Sequence, residues 1–228
     1  MKRLLSLVLV FCCLLFLAPD VLADAKLSVN DKALFTFEGE WNGYFFAKLT
    51  NTGDMGCYVD SGKLVGFDAD DNVIISESYI STIPSSLWLE PGEYAYVRDY
   101  LLENELKTTT VTDFKFSIKP DKYGTRYNKL SCKARLSMTD PDAFDNAIEV
   151  TFTNPYDDVL FGYTITAAIF DEKGSLIFVN GDSYSRIGVA PGSTVTVLLP
   201  IDRDMTQYFS RASITPAEVD AVVYVKQK

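Results

Sequence analysis

Val59-Asp60-Ser61-Gly62-Lys63 sets Asp-Ser-Gly behind an apolar residue, the local form in which aspartic proteases present a catalytic carboxylate. That chemistry needs two such loops facing each other, so that two carboxylates share one proton. The matching place in the second half of the chain, Gly162-Tyr163-Thr164-Ile165-Thr166, carries no acid. A bend in a strand is the expectation for residues 59–63. Asp68-Ala69-Asp70-Asp71-Asn72 offers four hard oxygen ligands of the kind calcium takes. An EF-hand loop would also need a glycine at its sixth position and a glutamate at its twelfth, and both are absent. The similar stretch Asp171-Glu172-Lys173-Gly174 puts a lysine in the turn, so a solvated hairpin is expected at both places.

Histidine is missing from all 228 residues. Ser-His-Asp and Cys-His catalysis, His-ligated zinc and an imidazole base are thereby excluded. Cys12 and Cys13 fall in an apolar leader, which leaves Cys57 and Cys132 in the remainder. In an exported chain these two could form a disulfide, which needs Cα atoms within about 7 Å. In an end-to-end pair of sandwiches they lie at different ends of a unit, where each reads as a small buried hydrophobe. Their pairing stays open. The expectation is therefore a protein that is not an enzyme, with no catalytic residues, no cofactor-binding residues, no cofactor and no metal ligands.

Binding chemistry is the other possibility, and the aromatic residues bear on it. There are 15 Phe, 13 Tyr and 2 Trp, many at alternating positions suited to a core. Asn42–Phe46 (NGYFF), Tyr156–Tyr163 (YDDVLFGY) and Tyr123–Tyr127 (YGTRY) are the stretches that could leave rings exposed for a sugar or a protein.

Residues 1–23 are set apart from the rest. Met1-Lys2-Arg3 is basic, Leu4–Ala18 is apolar but for Ser6, and Val21-Leu22-Ala23 ends on a small residue. A basic start, about 15 apolar residues where a spanning helix needs about 20, and a small-residue end describe a secretory signal peptide. Cleavage would start the mature chain at Asp24, or at Lys26 if Ala25 is the last residue removed. Losing Lys2, Arg3 and Asp20 from 21 basic and 31 acidic residues leaves a formal charge of −11. Such a surface repels phosphate backbones and anionic lipid, so no nucleic acid partner is expected, nor membrane insertion after signal cleavage.

The elements that would position these residues are written twice. Lys48–Gly56 (KLTNTGDMG) matches Thr151–Val159 (TFTNPYDDV), with Asn51 answering Asn154 and Asp54 answering Asp157. Gly66–Ile74 matches Ile169–Ile177, with Phe67-Asp68 answering Phe170-Asp171 at an offset of 103. Pro91-Gly92 answers Pro191-Gly192, and Asp113 answers Asp220. Four landmarks in one order describe a tandem repeat of a unit of about 95 residues. Between them lie runs with period-two alternation, such as 148–153, 114–119 and 194–199, rich in Thr, Val, Ile, Tyr and Phe. Helical periodicity is confined to a turn or two at 101–106 and 215–219.

Six or seven short strands per unit, with turn signals every 8 to 12 residues, point to an all-β fold of two tandem immunoglobulin-like antiparallel β-sandwiches. The expected organisation is a signal peptide over 1–23, one sandwich over 24–120, a linker over 121–130 with a modest contact between the units, and a second sandwich over 131–228. The signatures LVGFDADDNVI (64–74) and AAIFDEKGSLI (167–177) then resemble the FxLYD-type immunoglobulin-like domains of bacterial extracytoplasmic proteins. Phe67 and Phe170 stand where that family has Tyr, and Asn72 where it has Gly. The resemblance implies an exported, non-catalytic sandwich module at a cell surface, and it carries over no functional residues.

The functional expectation is an extracellular or cell-envelope protein that acts by adhesion, ligand binding or a structural role, with a protein or glycan at the cell surface as its partner. The alternatives are a secreted hydrolase using paired carboxylates, and an inhibitor or modulator of an extracellular enzyme.

Overall fold

The computed structural model describes residues 24–37 and 39–227; the expected leader at 1–23 lies outside them. The chain is nearly all β. The first half contains β1 (Leu27–Thr36), β2 (Asn42–Asn51), β3 (Cys57–Val59), β4 (Gly62–Phe67), β5 (Val73–Ile80), β6 (Trp88–Leu89), β7 (Tyr94–Leu102), β8 (Asp113–Ser117) and β9 (Pro120–Asp121). The second contains β10 (Tyr127–Leu130), β11 (Cys132–Ser137), β12 (Ala147–Thr153), β13 (Tyr163–Asp171), β14 (Leu176–Tyr184), β15 (Thr194–Pro200), helix α1 (Arg203–Arg211) and β16 (Pro216–Lys226). A 3-10 turn at Asn104–Lys107 stands where α1 stands in the second half.

Both halves are wired alike, and among the described residues the strand ladders are antiparallel, with one isolated parallel bridge between Leu87 and Thr125. The order β1-β2-β7 in one sheet is matched by β11-β12-β15, and β5-β4-β8 by β14-β13-β16, with β10 added at the edge beside β16. Facing sheets of this kind give a sandwich-like architecture.

The landmark residues explain why the pattern repeats. Asn51 and Asn154 are fully buried at the ends of β2 and β12. Asn51 Nδ2 donates to the carbonyls of Met55 and Leu89, and its Oδ1 accepts from Gly53 N. Asn154 Nδ2 donates to Asp158 and Val189 carbonyls, and its Oδ1 accepts from Tyr156 N. Each asparagine thus satisfies three backbone groups that a loop would otherwise bury unpaired. The hairpin turns repeat as well. Asp68 Oδ1 accepts from the amides of Asp70 and Asn72, and Asp171 Oδ1 from those of Lys173 and Ser175. The glycine of the second turn, Gly174 at φ +78°, is matched by Asp71 at φ +62°, not by Asn72 as the sequence signature suggested. Phe67 and Phe170 sit at equivalent bulges, and each has a lysine ammonium over its ring, Lys115 at 5.3 Å and Lys48 at 5.5 Å.

Two expectations are corrected. The helical turn expected at 215–219 is the start of β16. The helix lies upstream at 203–211, where Met205 and Phe209 reach the core and Tyr208 packs edge-on to Phe35 at 5.3 Å. The contact between halves is also larger than a modest one between sandwiches set end to end. In β2, Phe45, Ala47 and Leu49 face β4 and β5, while Tyr44 and Phe46 face the second half. The sheet β1-β2-β7 is therefore buried on both sides. Phe46 meets Phe178 of β14 at 5.4 Å, and Tyr224 of β16 joins the core of the first half. Among the described residues four of the five sheets form a stack, in the order β5-β4-β8, β1-β2-β7, β10-β16-β13-β14 and β11-β12-β15, and the short sheet β6-β3-β9 closes one end of the first half. The polar stretch 121–130 is structured at both ends, since Asp121 pairs with Tyr58 and β10 with β16.

Candidate functional site

The stretches with catalytic or metal-binding residue types are turns. Asp60 accepts from the amide and hydroxyl of its neighbour Ser61. A Cβ at Gly62 would lie 2.5 Å from the Phe116 ring, so the glycine permits the close approach that bends the chain into β4. Both carboxylate oxygens of Asp68 are engaged, since Asn72 Nδ2 donates to Oδ2. The Asn72 side chain holds the Asp68 carboxyl below the usual carboxylate range. Cys57 and Cys132 are unpaired. Burial raises the pKa of both thiols, and Cys132 Sγ donates to the Ala221 carbonyl at 3.2 Å. Thiols in that state are poor nucleophiles at neutral pH.

The aromatic stretches separate cleanly. Tyr44, Phe45 and Phe46 are buried. In the third stretch Tyr123 is exposed and Tyr127 packs edge-on to Tyr224. The loop between β12 and β13 is where apolar side chains meet solvent together. Phe161 is 57% exposed and Val159 48%, and Ile187, the residue before Gly188, is exposed as well. A Cβ on Gly188 would lie 2.7 Å from the Phe161 ring and 2.9 Å from Val159 Cγ1, so both side chains lie across that glycine. Val159 and Phe161 thus form one continuous apolar shelf. Beside it opens a surface pocket of about 280 Å³, lined by Tyr156, Phe161 and Val225 with Asn128, Asp158 and Lys226 at its margin.

The first half fills the equivalent position differently. Trp88 stands where Gly188 stands, packs edge-on to Tyr58 at 4.7 Å, and is covered by the Arg126 guanidinium at 3.9 Å. Glu90 accepts from Trp88 Nε1 at 2.7 Å. The 121–130 segment thereby covers this end of the first half with its own residues, while the second half shows Phe161 to solvent.

Two polar clusters between the halves were not legible in the sequence. Tyr94 and Tyr96 hydroxyls both donate to Asp220 Oδ2 at 2.6 Å, and Lys48 lies over the Tyr94 ring at 4.4 Å. Burial and the Asp220 carboxylate raise both tyrosine pKa values, so these phenols stay protonated and donate. Arg98 donates to Asn180 Oδ1 at 2.6 Å and to Asp202 at 3.0 Å, beside a cleft of about 500 Å³ lined by Tyr44, Ile83 and Tyr100. Burial raises the Asp202 carboxyl and Arg98 opposes that. Both clusters join β7 to the second half, and their geometry is that of a fastener. Nothing in the spacing of residues 94–98, 180, 202 and 220 announced them, because they meet only through the stacking of the sheets.

Compared with known proteins, the chain matches no family model and no curated protein. Among solved structures, red sea bream transglutaminase is similar over 89% of this chain and 29% of its own length, at 11% identity and a TM-score of 0.26. The C-terminal globular domain of an oligosaccharyltransferase from Pyrococcus abyssi is similar over 89% of this chain and 48% of its own length, at 7% identity and a TM-score of 0.25. The chain spans less than half the length of either structure.

Proposed function

We propose that this protein is an exported, non-catalytic β-sandwich module that works by surface contact with a protein or glycan at the bacterial cell envelope. The observation that carries this reading is the exposed shelf of Val159 and Phe161 beside the Tyr156–Val225 pocket. Apolar side chains grouped on a rigid scaffold cost free energy while they face water, and removing them from water favours a partner that covers them. A pocket of about 280 Å³ accepts one large side chain or one sugar ring, and Asn128, Asp158 and Lys226 supply polar groups at its rim. The leader and the FxLYD-like turns support an extracytoplasmic setting. The acidic surface supports a partner other than nucleic acid.

The test uses the mature protein immobilised against an envelope extract and a glycan array, beside Phe161→Ser and Val159→Ser variants of matched melting temperature. A partner identified by mass, or a glycan signal, that falls at least about tenfold in the Phe161→Ser variant is the expected result, as for loss of a central aromatic anchor. Undiminished capture by both variants rules out the shelf as the contact surface.

A further inference from the structure

The chain continues beyond the end of the β1 ladder. Leu27 is the last residue paired in register, opposite Asn51, yet residues 24–26 run on across the loop between β2 and β3. Thr52 N donates to the Lys26 carbonyl at 2.7 Å and Asp54 N to the Asp24 carbonyl at 3.1 Å. Asp24 N in turn donates to Asp54 Oδ1 at 2.5 Å. Gly53 lies directly beneath. A Cβ there would lie 2.1 Å from the Asp24 carbonyl oxygen and 2.6 Å from Lys26 N, so only glycine permits this crossing.

The second half provides the comparison. Tyr156 is the counterpart of Gly53, and its amide makes the same bond to Asn154 that Gly53 makes to Asn51. A bulky residue fits there because β11 begins at Cys132, opposite Phe152, and the residues before it belong to β10 in another sheet. Glycine is thus found at the copy of this loop that residues 24–26 cross, and tyrosine at the copy they do not.

The geometry points to Asp24 as the first residue of the mature protein, held by Asp54 as the counter-ion of its new α-ammonium. This rests on the reading of residues 1–23 as a cleaved leader. Both Ala23 and Ala25 have the small side chain that an export peptidase accepts before its cut. Cutting after Ala25 would discard Asp24 and both of its bonds to Asp54, and would leave Lys26 alone over Gly53. Cutting after Ala23 keeps them. That step hydrolyses the Ala23–Asp24 amide with one water: its oxygen ends in the Ala23 carboxylate, and the freed Asp24 amine takes up a proton. An α-amine has an ordinary pKa near ~7.7–8.0, so much of it is charged at neutral pH, facing a carboxylate that previously met a neutral amide.

The experiment has two parts. The full chain with its leader is expressed in a bacterium, recovered from the extracytoplasmic fraction, and read by intact mass and N-terminal sequencing. A start at Asp24 is expected. A start at Lys26 overturns this inference and leaves the export reading intact, whereas unprocessed protein in the cytoplasm overturns the export reading itself. Purified chains beginning at Asp24 and at Lys26 are then melted, each with and without Asp54→Asn. The longer chain should melt about 1–3 °C higher, within what an exposed ion pair and two hydrogen bonds give in a protein of this size, and Asp54→Asn should remove most of that difference. Equal melting temperatures for the two unsubstituted chains overturn the role of Asp54.

Discussion

Glu77, Asp99 and Glu103 form an acidic group at the β5–β7 side of the first half, and Asp202 lies between the halves. Burial raises the carboxyl pKa of all four; Glu77 is raised further by Asp99, and Glu103 by Glu77. Arg98 opposes the shift at Asp202 without cancelling it. A carboxyl whose folded pKa lies above its unfolded value binds protons first in the native state. Stability then rises as pH falls through the folded pKa, and the gain is complete near the ordinary carboxylate value of about 4. Asp68 and Asp142 are shifted the other way by hydrogen bonds from Asn72 and Gln207, and their stabilisation is lost only below the ordinary range. The melting temperature is therefore expected to rise as the pH is lowered from 7 towards 5, and Asp99→Asn should flatten that rise. A melting temperature that falls steadily over the same interval would contradict the burial of these acids.

At the scale of the element, the two hairpin turns are the same structure made from different residues, and that allows a reciprocal test. The positive-φ position is Gly174 in the second half and Asp71 in the first. A Cβ on Gly174 would meet nothing within 4 Å, so the cost of Gly174→Ala is conformational alone, about 1 kcal/mol. Asp71→Gly relieves the same strain but loosens the unfolded chain, and the first effect should win by about 0.5 kcal/mol. Denaturant midpoints for the two variants should move in opposite directions; movement in the same direction would mean that the turns are not equivalent. These turns were legible in the sequence because their chemistry is local: Asp68 bonds to amides two and four residues on, and Asn51 closes its own loop. Strand runs such as 148–153 and 194–199 followed from period two, which is equally local. The buried character of Tyr44-Phe45-Phe46 was written in three consecutive aromatic residues, the pattern of a strand covered on both faces. What covers its second face belongs to the other half of the chain, and nothing local to β2 announces it. Helix α1 has little sequence signal because it runs for two and a half turns in a polar stretch, with Met205, Tyr208 and Phe209 as its apolar face. The Val159–Phe161 shelf was flagged by composition, but exposure depends on which neighbour is Gly188 and which is Trp88, and that requires the register of the sheets.

For the molecule as a whole, the question is why the stack holds four sheets and stops. The inner sheets meet through Phe35, Tyr44, Phe46 and Tyr96 on one side and Phe170, Phe178 and Tyr224 on the other, fastened by Tyr94–Asp220 and Arg98–Asp202. The sheet β11-β12-β15 is the second-half counterpart of β1-β2-β7, yet its outer face presents Lys133, Arg135, Thr151 and Thr196 in place of aromatics. Thr151 and Thr196 are hydrogen-bonded to each other at 2.8 Å, and Arg135 pairs with Glu149. Such a face is satisfied by water and adds no further layer. The same logic makes the two halves unequal when separated. Residues 24–120 produced alone would expose the aromatic face of β2 and β7, an area that monomeric proteins keep covered. That fragment should self-associate on size exclusion and bind a hydrophobic dye, while an equimolar mixture with residues 121–228 should elute as one complex with the dye signal lost. The Tyr96→Phe and Asp220→Asn pair should weaken that reassociation without changing the register of either sheet, because one of the two phenol donors and the charge of their shared acceptor are lost while every strand hydrogen bond is kept. If residues 24–120 remain monomeric and bind no dye, the face of Tyr44 and Phe46 is not an obligate interior surface, and the four-sheet stack is two sandwiches resting against each other.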